Sequence, residues 1–268
     1  MKNFLGIFYG AMIFSSYFLI KILTGDQFAH YFVMSSGLLT LGLIPFTGFS
    51  IPKPFGGILI RGFLYSTTNF LLLTAQSKGE VSSSLVASLM GVLLVSIPRL
   101  IHPIRMKNIF ILSSLLIGAL LLREKIQVSS LALIAGIIQA LTFETASKIM
   151  RVHQHPIAWN LIAGFASVFF TGLLVLPVIK APLWYPDLEW RIIIQVASIL
   201  LLSQISFFTL YRWHSTEAAS RYSLGRIPWS YFIEFIFVGK TFELQTTIGA
   251  LFLAISAFMK KERRSMNR

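Results

Sequence analysis

Residues 157–178 read IAWNLIAGFASVFFTGLLVLPV, 22 positions without an aspartate, glutamate, lysine or arginine. A helix rises about 1.5 Å per residue, so about 20 apolar residues cross the roughly 30 Å hydrocarbon core of a bilayer. The same kind of run recurs outward in both directions, at 4–22, 31–49, 55–75, 81–101, 108–122, 128–147, 190–211, 216–238 and 245–259. Short breaks rich in charge, proline or glycine separate the runs, among them Ile51-Pro52-Lys53-Pro54 and Arg123-Glu124-Lys125. Ten such spans use about 200 of the 268 residues, and no break is long enough to fold by itself. The first run has only Lys2 as a charged leader and no small-x-small cleavage pattern after it, so it reads as a retained helix.

Composition agrees. The chain is 55% hydrophobic and 12% charged, with a mean hydropathy of +0.75, whereas a soluble domain carries about 25% charged residues. That excludes a soluble enzyme, a secreted disulfide scaffold, a disordered chain and a membrane anchor bearing a large extramembrane domain. The sequence has no cysteine, hence no disulfide and no thiolate metal site. A net charge of +13 in a soluble chain points to nucleic acid. Here it reads instead as lysine and arginine holding loops on the cytoplasmic side, with the lipid bilayer and not nucleic acid as partner. Ten spans put both termini on one side. Fifteen of the 23 basic residues fall there, Lys53, Arg61, Arg99, Arg221 and the Lys260–Arg268 tail among them. Seven fall on the other side and Arg226 inside a span, so both termini are expected to be cytoplasmic in the inner (plasma) membrane.

The chain also repeats itself. Leu116-Ile117-Gly118-Ala119-Leu120 returns as Thr247-Ile248-Gly249-Ala250-Leu251, and Glu80-Val81-Ser82-Ser83 as Glu217-Ala218-Ala219-Ser220. Five spans per repeat is an odd number, so the second copy enters the membrane upside down relative to the first. Inverted repeats are a common architecture of alternating-access transporters, with the substrate site near the midplane at the repeat interface. The expected fold is an all-α membrane protein of ten transmembrane helices, residues 1–126 forming one five-helix repeat and 127–268 the other.

Two stretches carry a family resemblance. One is Thr74-Ala75-Gln76 through Ser82-Ser83-Ser84 to Val86-Ala87-Ser88. The other is Glu217-Ala218-Ala219, then Pro228, then Phe237-Val238-Gly239-Lys240-Thr241-Phe242-Glu243 leading into Ile248-Gly249-Ala250. They resemble the drug/metabolite transporter superfamily, specifically its EamA-type ten-helix members. The sequence departs from that pattern at Lys240, where the family commonly has glutamate, and at Gly91, which aligns with Pro228. The resemblance implies a central cavity lined by spans three, four, eight and nine, and export or exchange of small metabolites.

Arg221 and Arg226 are the most informative side chains. A mid-bilayer arginine costs about 2.5–3.5 kcal/mol on insertion scales, and such residues almost always face a bundle interior or cavity. Arg226 is the tenth residue of its run; the first repeat places Leu89 opposite it and Ser84 opposite Arg221. The fold therefore does not demand a cation at either place, so Arg226 reads as a contact for a substrate or coupling carboxylate or else as a structural ion pair, and Arg221 as a topological anchor or else a substrate contact; Tyr222, Trp229, Ser230, Asn69 and Gln204 are the other substrate-binding candidates. Tyr222, Arg226 and Ser230 share one helix stripe, and Trp229 flanks Arg226. An aromatic ring there either holds the guanidinium or stacks on a planar substrate, the plainer role being packing. Glu144 precedes Lys148 by four residues, the order favoured for a helical ion pair; its sharper reading is a proton site or a partner of Arg226. Glu234 is a second coupling or ion-pair candidate. Asn69, Gln139, Asn160 and Gln204 either hydrogen-bond between helices or line a wet cavity, and Asn69 and Gln204 are the cavity candidates because the family's cavity uses their helices. Pro228 interrupts its helix and suits a gating kink. His153 and His155 lack a third ligand, so no metal is expected, and no cofactor. Gly6-x-x-x-Gly10 and Ala250-x-x-x-Ala254 permit close helix approach within a monomer or between the subunits of a homodimer.

No zincin, nucleophile-elbow or phosphate-loop motif is present, and no pair of aspartates lies inside the spans. The expected function is secondary transport of a small polar metabolite carrying a carboxylate or phosphate, with no enzymatic step. Aromatic amino acids, S-adenosyl compounds, nucleotide-linked molecules and small carboxylates all fit. The reading from another class is a non-transporting membrane subunit or a lipid-modifying membrane protein.

Overall fold

In hydrocarbon each backbone N–H and C=O must find its partner within the protein, which leaves the helix as the form for an apolar run. The computed structural model describes residues 20, 23–24, 27–48, 51–53, 55–77, 83–101, 106–121, 130–153, 155–178, 188–224 and 244–259, and among them every regular element is helical. The elements are α1 (Phe28–Leu43), continued by a tighter turn at Ile44–Thr47, α2 (Phe55–Ser77), α3 (Ser83–Ile101), α4 (Met106–Leu121) and α5 (Ser130–Ser147). They continue with a wide π turn at Lys148–Val152, then α6 (Ile157–Val178), α7 (Trp190–Trp213), α8 (Thr216–Ser223) and α9 (Leu244–Phe258). These correspond to the second through tenth apolar runs, with α8 the opening of the ninth; most of the first run lies outside the described residues.

Four of these helices are long and apolar enough to cross a membrane: Phe28–Thr47, Ser130–Val152, Ile157–Pro177 and Trp190–Trp213. The surface supports the same environment. Leu41, Phe46, Phe63, Phe170 and Leu174 stand exposed, while Arg61, Asn69, Asn160, Gln204, Glu217 and Arg221 are buried. That inverts the arrangement of a soluble domain. Even the exposed hydroxyls of Thr67, Thr145, Ser198 and Thr209 donate to carbonyls four residues earlier in their own helices. A polar group facing lipid has little else to bond.

Between the helices, small residues let backbones approach. A Cβ on Gly62 in α2 would fall 2.6 Å from the Ala163 carbonyl oxygen of α6. One on Gly118 in α4 would lie 2.9 Å from the Gly249 oxygen of α9. The two copies of the repeated Ile-Gly-Ala-Leu motif thus pack against each other. Helix α2 packs on α5 and α6, α1 on α6 and α7, α3 on α5 and α8, and α4 on α9.

Candidate functional site

Among the described residues, the most deeply buried charge is Arg61, the seventh residue of α2, which is 1% exposed. Its Nη2 donates to Gln204 Oε1 on α7 at 2.8 Å, and its Nη1 to the Asn160 carbonyl of α6 at 3.3 Å. Three rings face the guanidinium carbon: Phe208 at 4.4 Å, Tyr65 at 4.8 Å and Phe207 at 5.5 Å from their centroids. A desolvated cation over an aromatic face gains about 2 kcal/mol or more. The rings continue as a wall, with Phe207 4.6 Å from Tyr211, and Phe143 of α5 stacked 5.7 Å from Tyr211. Space for the head group comes from Gly164 of α6, where a Cβ would sit 2.7 Å from Arg61 Nη1. Asn69, two turns along α2, is buried and donates to the Tyr65 carbonyl at 2.7 Å.

Arg61 is the residue that sequence reasoning passed over. It was counted among the loop cations because it lies near the end of its apolar run. It is the seventh residue of a 23-residue helix, and its side chain is buried against α6 and α7. The elements that meet at Arg61 are α2, α6 and α7, with Phe143 of α5 in the rings beyond, and two of these, α2 and α7, are spans three and eight of the set that the resemblance implies. Gln204 is therefore in the cluster and Asn69 on its edge, while α5 and α6 supply the remaining wall.

Arg221 is held elsewhere. It is 2% exposed and pairs with Glu217 one turn earlier at 3.1 Å. Its Nη1 also donates to the carbonyls of Ser256 and, at 2.9 Å, Met259, at the end of α9. A cation on a helix C-terminus offsets both its dipole and its orphan carbonyls, so Arg221 fastens α8 to the last helix. Tyr222 is buried beside His214, ring to ring at 4.9 Å. The Ser215 hydroxyl opens α8 by accepting from the Ala218 N–H. Arg226, Pro228, Trp229, Ser230 and Glu234 lie outside the described residues.

Glu144 pairs with Arg99 of α3, across the α3–α5 contact. The spacing had suggested Lys148 instead. The helix widens into its π turn at Lys148, and a π turn does not keep the register on which the four-residue rule rests. His155 Nε2 lies 3.1 Å from the Lys53 carbonyl, and the His155 carbonyl accepts from Arg212 Nη2 at 3.1 Å, which ties the start of α2 to the end of α7. Among the described residues, no three His, Asp or Glu side chains converge as a metal site would require. The chain matches no protein-family model and no curated protein sequence. Among the described residues, what the site offers chemically is a planar cation that donates to the Gln204 amide and the Asn160 carbonyl and is faced by aromatic rings, packed against α6 and α7, which are apolar enough to cross a membrane.

Proposed function

We propose that this protein is a secondary transporter of ten spans in two inverted halves, which moves a small organic anion across the inner (plasma) membrane by alternating access, with both termini cytoplasmic. The observation that carries the reading is Arg61, a guanidinium buried where α2, α6 and α7 meet and donating there to the Gln204 side chain and the Asn160 carbonyl. Guanidinium binds carboxylate and phosphate through two donors at once. A solute anion is therefore the natural competitor for the Gln204 amide.

The helix pairings support the inverted repeat. If each described helix is exchanged with the one five spans away, α1–α6, α3–α8 and α4–α9 map onto themselves. The α2–α6 pairing maps onto α1–α7, α3–α4 onto α8–α9, and α2–α3 onto α7–α8, and all six contacts are present. The α6–α7 contact lacks an equally extensive α1–α2 counterpart. Asn69 and Gln204 are each the fifteenth residue of their helices, α2 and α7. Under the same exchange the two amides correspond, while the position in α7 matching Arg61 holds Val196. One half supplies the cation and the other the amide that meets it. This arrangement, with the sequence resemblance to EamA-type transporters, favours a site shared between halves that rock against each other.

The test is independent of substrate identity. Liposomes containing the purified protein are loaded with the small-molecule fraction of a cell extract, and solute loss is followed by mass spectrometry. Protein-dependent efflux of one or more organic anions is expected. If no solute leaves faster than from protein-free liposomes, the transport reading is overturned.

A further inference from the structure

We propose that one end of the bundle binds the headgroup of an anionic phospholipid, on a basic rim formed by Lys53, Lys148, Arg151 and Arg212. Such a site needs the chain to lie in a membrane and does not need it to transport.

The backbone brings these residues together. The His153 N–H donates to the Lys148 carbonyl and the His155 N–H to the Ile149 carbonyl, both at 3.3 Å, which folds residues 148–155 into one turn between α5 and α6. His155 at its end is 3% exposed. The His155 ring donates from Nε2 to the Lys53 carbonyl just before α2, and its own carbonyl accepts from Arg212 Nη2 in the last turn of α7, each at 3.1 Å. The π turn also packs against α7. Four helix ends thus meet around one buried histidine, and Lys53, Lys148, Arg151 and Arg212 are all exposed there. Arg212 is exposed although one of its nitrogens is fixed, so its guanidinium is held at the surface before any ligand arrives.

Like charges gathered on one rim repel, and an anion relieves them. The described residues include three carboxylates. Glu144 is paired with Arg99, Glu217 with Arg221, and Glu189 lies at the far end of α7. Both described carboxylates at this end of the bundle are therefore committed to other cations.

The setting selects the anion. Residues 130–152, 157–177 and 190–213 are long and apolar enough to cross a membrane, and in a bilayer the ends of such helices lie at headgroup depth. Ile51, Val152 and Trp213, close to Lys53, Arg151 and Arg212 in the chain, are exposed. Apolar groups interleaved with cations match a molecule with a charged head and an apolar tail, and tryptophan is enriched at that level of a bilayer. A nucleic acid or an acidic protein segment would match the charge and leave the apolar groups uncovered. Guanidinium takes a phosphate through two donors at once, with lysine adding a point charge. Basic clusters at the ends of membrane helices hold anionic headgroups in this way.

The test is native mass spectrometry of the full-length protein in detergent, titrated with phosphatidylglycerol or with phosphatidylcholine of the same acyl chains. The first phosphatidylglycerol should bind with a half-saturating concentration about tenfold or more below that of phosphatidylcholine, and the gap should narrow as salt rises. Lys53→Gln combined with Arg151→Gln leaves the hydrogen bonds of the turn intact, since His155 meets only the Lys53 backbone; it should remove most of the gap, and adding Arg212→Gln the remainder. Arg191→Gln, at an exposed cation on the opposite end of α7, should leave the gap unchanged. Equal binding of the two lipids by the parent protein overturns the proposal without any variant. An undiminished gap in Lys53→Gln with Arg151→Gln, or an equal loss in Arg191→Gln, also overturns it. Binding of glycerol 3-phosphate or polyglutamate as tight as that of phosphatidylglycerol overturns it in favour of a soluble anion.

Discussion

Arg221→Met removes one member of a buried ion pair. The side chains of Arg221 and Glu217 are 2% and 4% exposed, so solvent screens neither. Truncating one partner of such a pair costs about 3–5 kcal/mol, because the remaining charge stays buried without compensation. For a chain of this size each kcal/mol corresponds to about 2–4 °C in unfolding midpoint. The variant should therefore unfold roughly 6–20 °C below the parent. Replacing both members, Arg221→Met with Glu217→Met, removes the stranded charge and should recover most of the loss, since apolar replacement of a buried pair is often neutral or stabilising. The recovery should stop short of completion, because the Ser256 and Met259 carbonyls still lose their donor. A double-mutant cycle by thermal unfolding in detergent, read on four proteins, measures this coupling. If the two single losses simply add, Arg221 and Glu217 are not coupled; if Arg221→Met is as stable as the parent, Arg221 does not fasten α8 to α9. Contact with substrate then becomes its better reading.

Gly62→Val should destabilise by about 1–3 kcal/mol, the usual cost of overpacking, because its side chain meets the Ala163 carbonyl and not a movable side chain; unfolding in detergent checks it. Glu144→Gln should change stability by less than about 1 kcal/mol, since both Glu144 and Arg99 are about 40% exposed and open ion pairs contribute little. Loss of proton-coupled efflux in that variant would instead mark Glu144 as a coupling site. Reporter fusions after Met106, after Arg151 and at the C-terminus should read cytoplasmic, and fusions after Lys78, Lys125 and Asp187 external. A C-terminal fusion that reads external would make the span count odd and dissolve the inverted repeat.

The helices were legible wherever an apolar run was long and unbroken, because hydrocarbon leaves the backbone one solution; residues 157–178 became α6 at those same bounds. The repeated glycine motif was legible too, and the meaning of its glycines emerged when Gly118 proved to face Gly249. The partners of the charged residues were harder to read. Glu144 has a fitting partner four residues on, and its actual partner is 45 residues earlier on another helix. Arg221 meets carbonyls 35 and 38 residues away, which no local spacing announces. Arg61 was hidden by its position near a helix end, where a long side chain often reaches toward the interface. Depth along the chain did not reveal that Gly164 opens a place for it inward.

Asn69 and Gln204 are each 5% exposed, so both are buried in this structure. The chain has no cysteine, and a single one introduced at either position is the only thiol. The most direct measurement is the rate at which a membrane-impermeant maleimide modifies Asn69→Cys and Gln204→Cys, added to one face of sealed vesicles and then, in separate preparations, to the other. Alternating access predicts that each position labels from both faces, and that trapping the protein open toward one face abolishes labelling from the other. A sealed bundle labels from neither face, and a channel labels from both at once in every trapped state; either result would contradict the account.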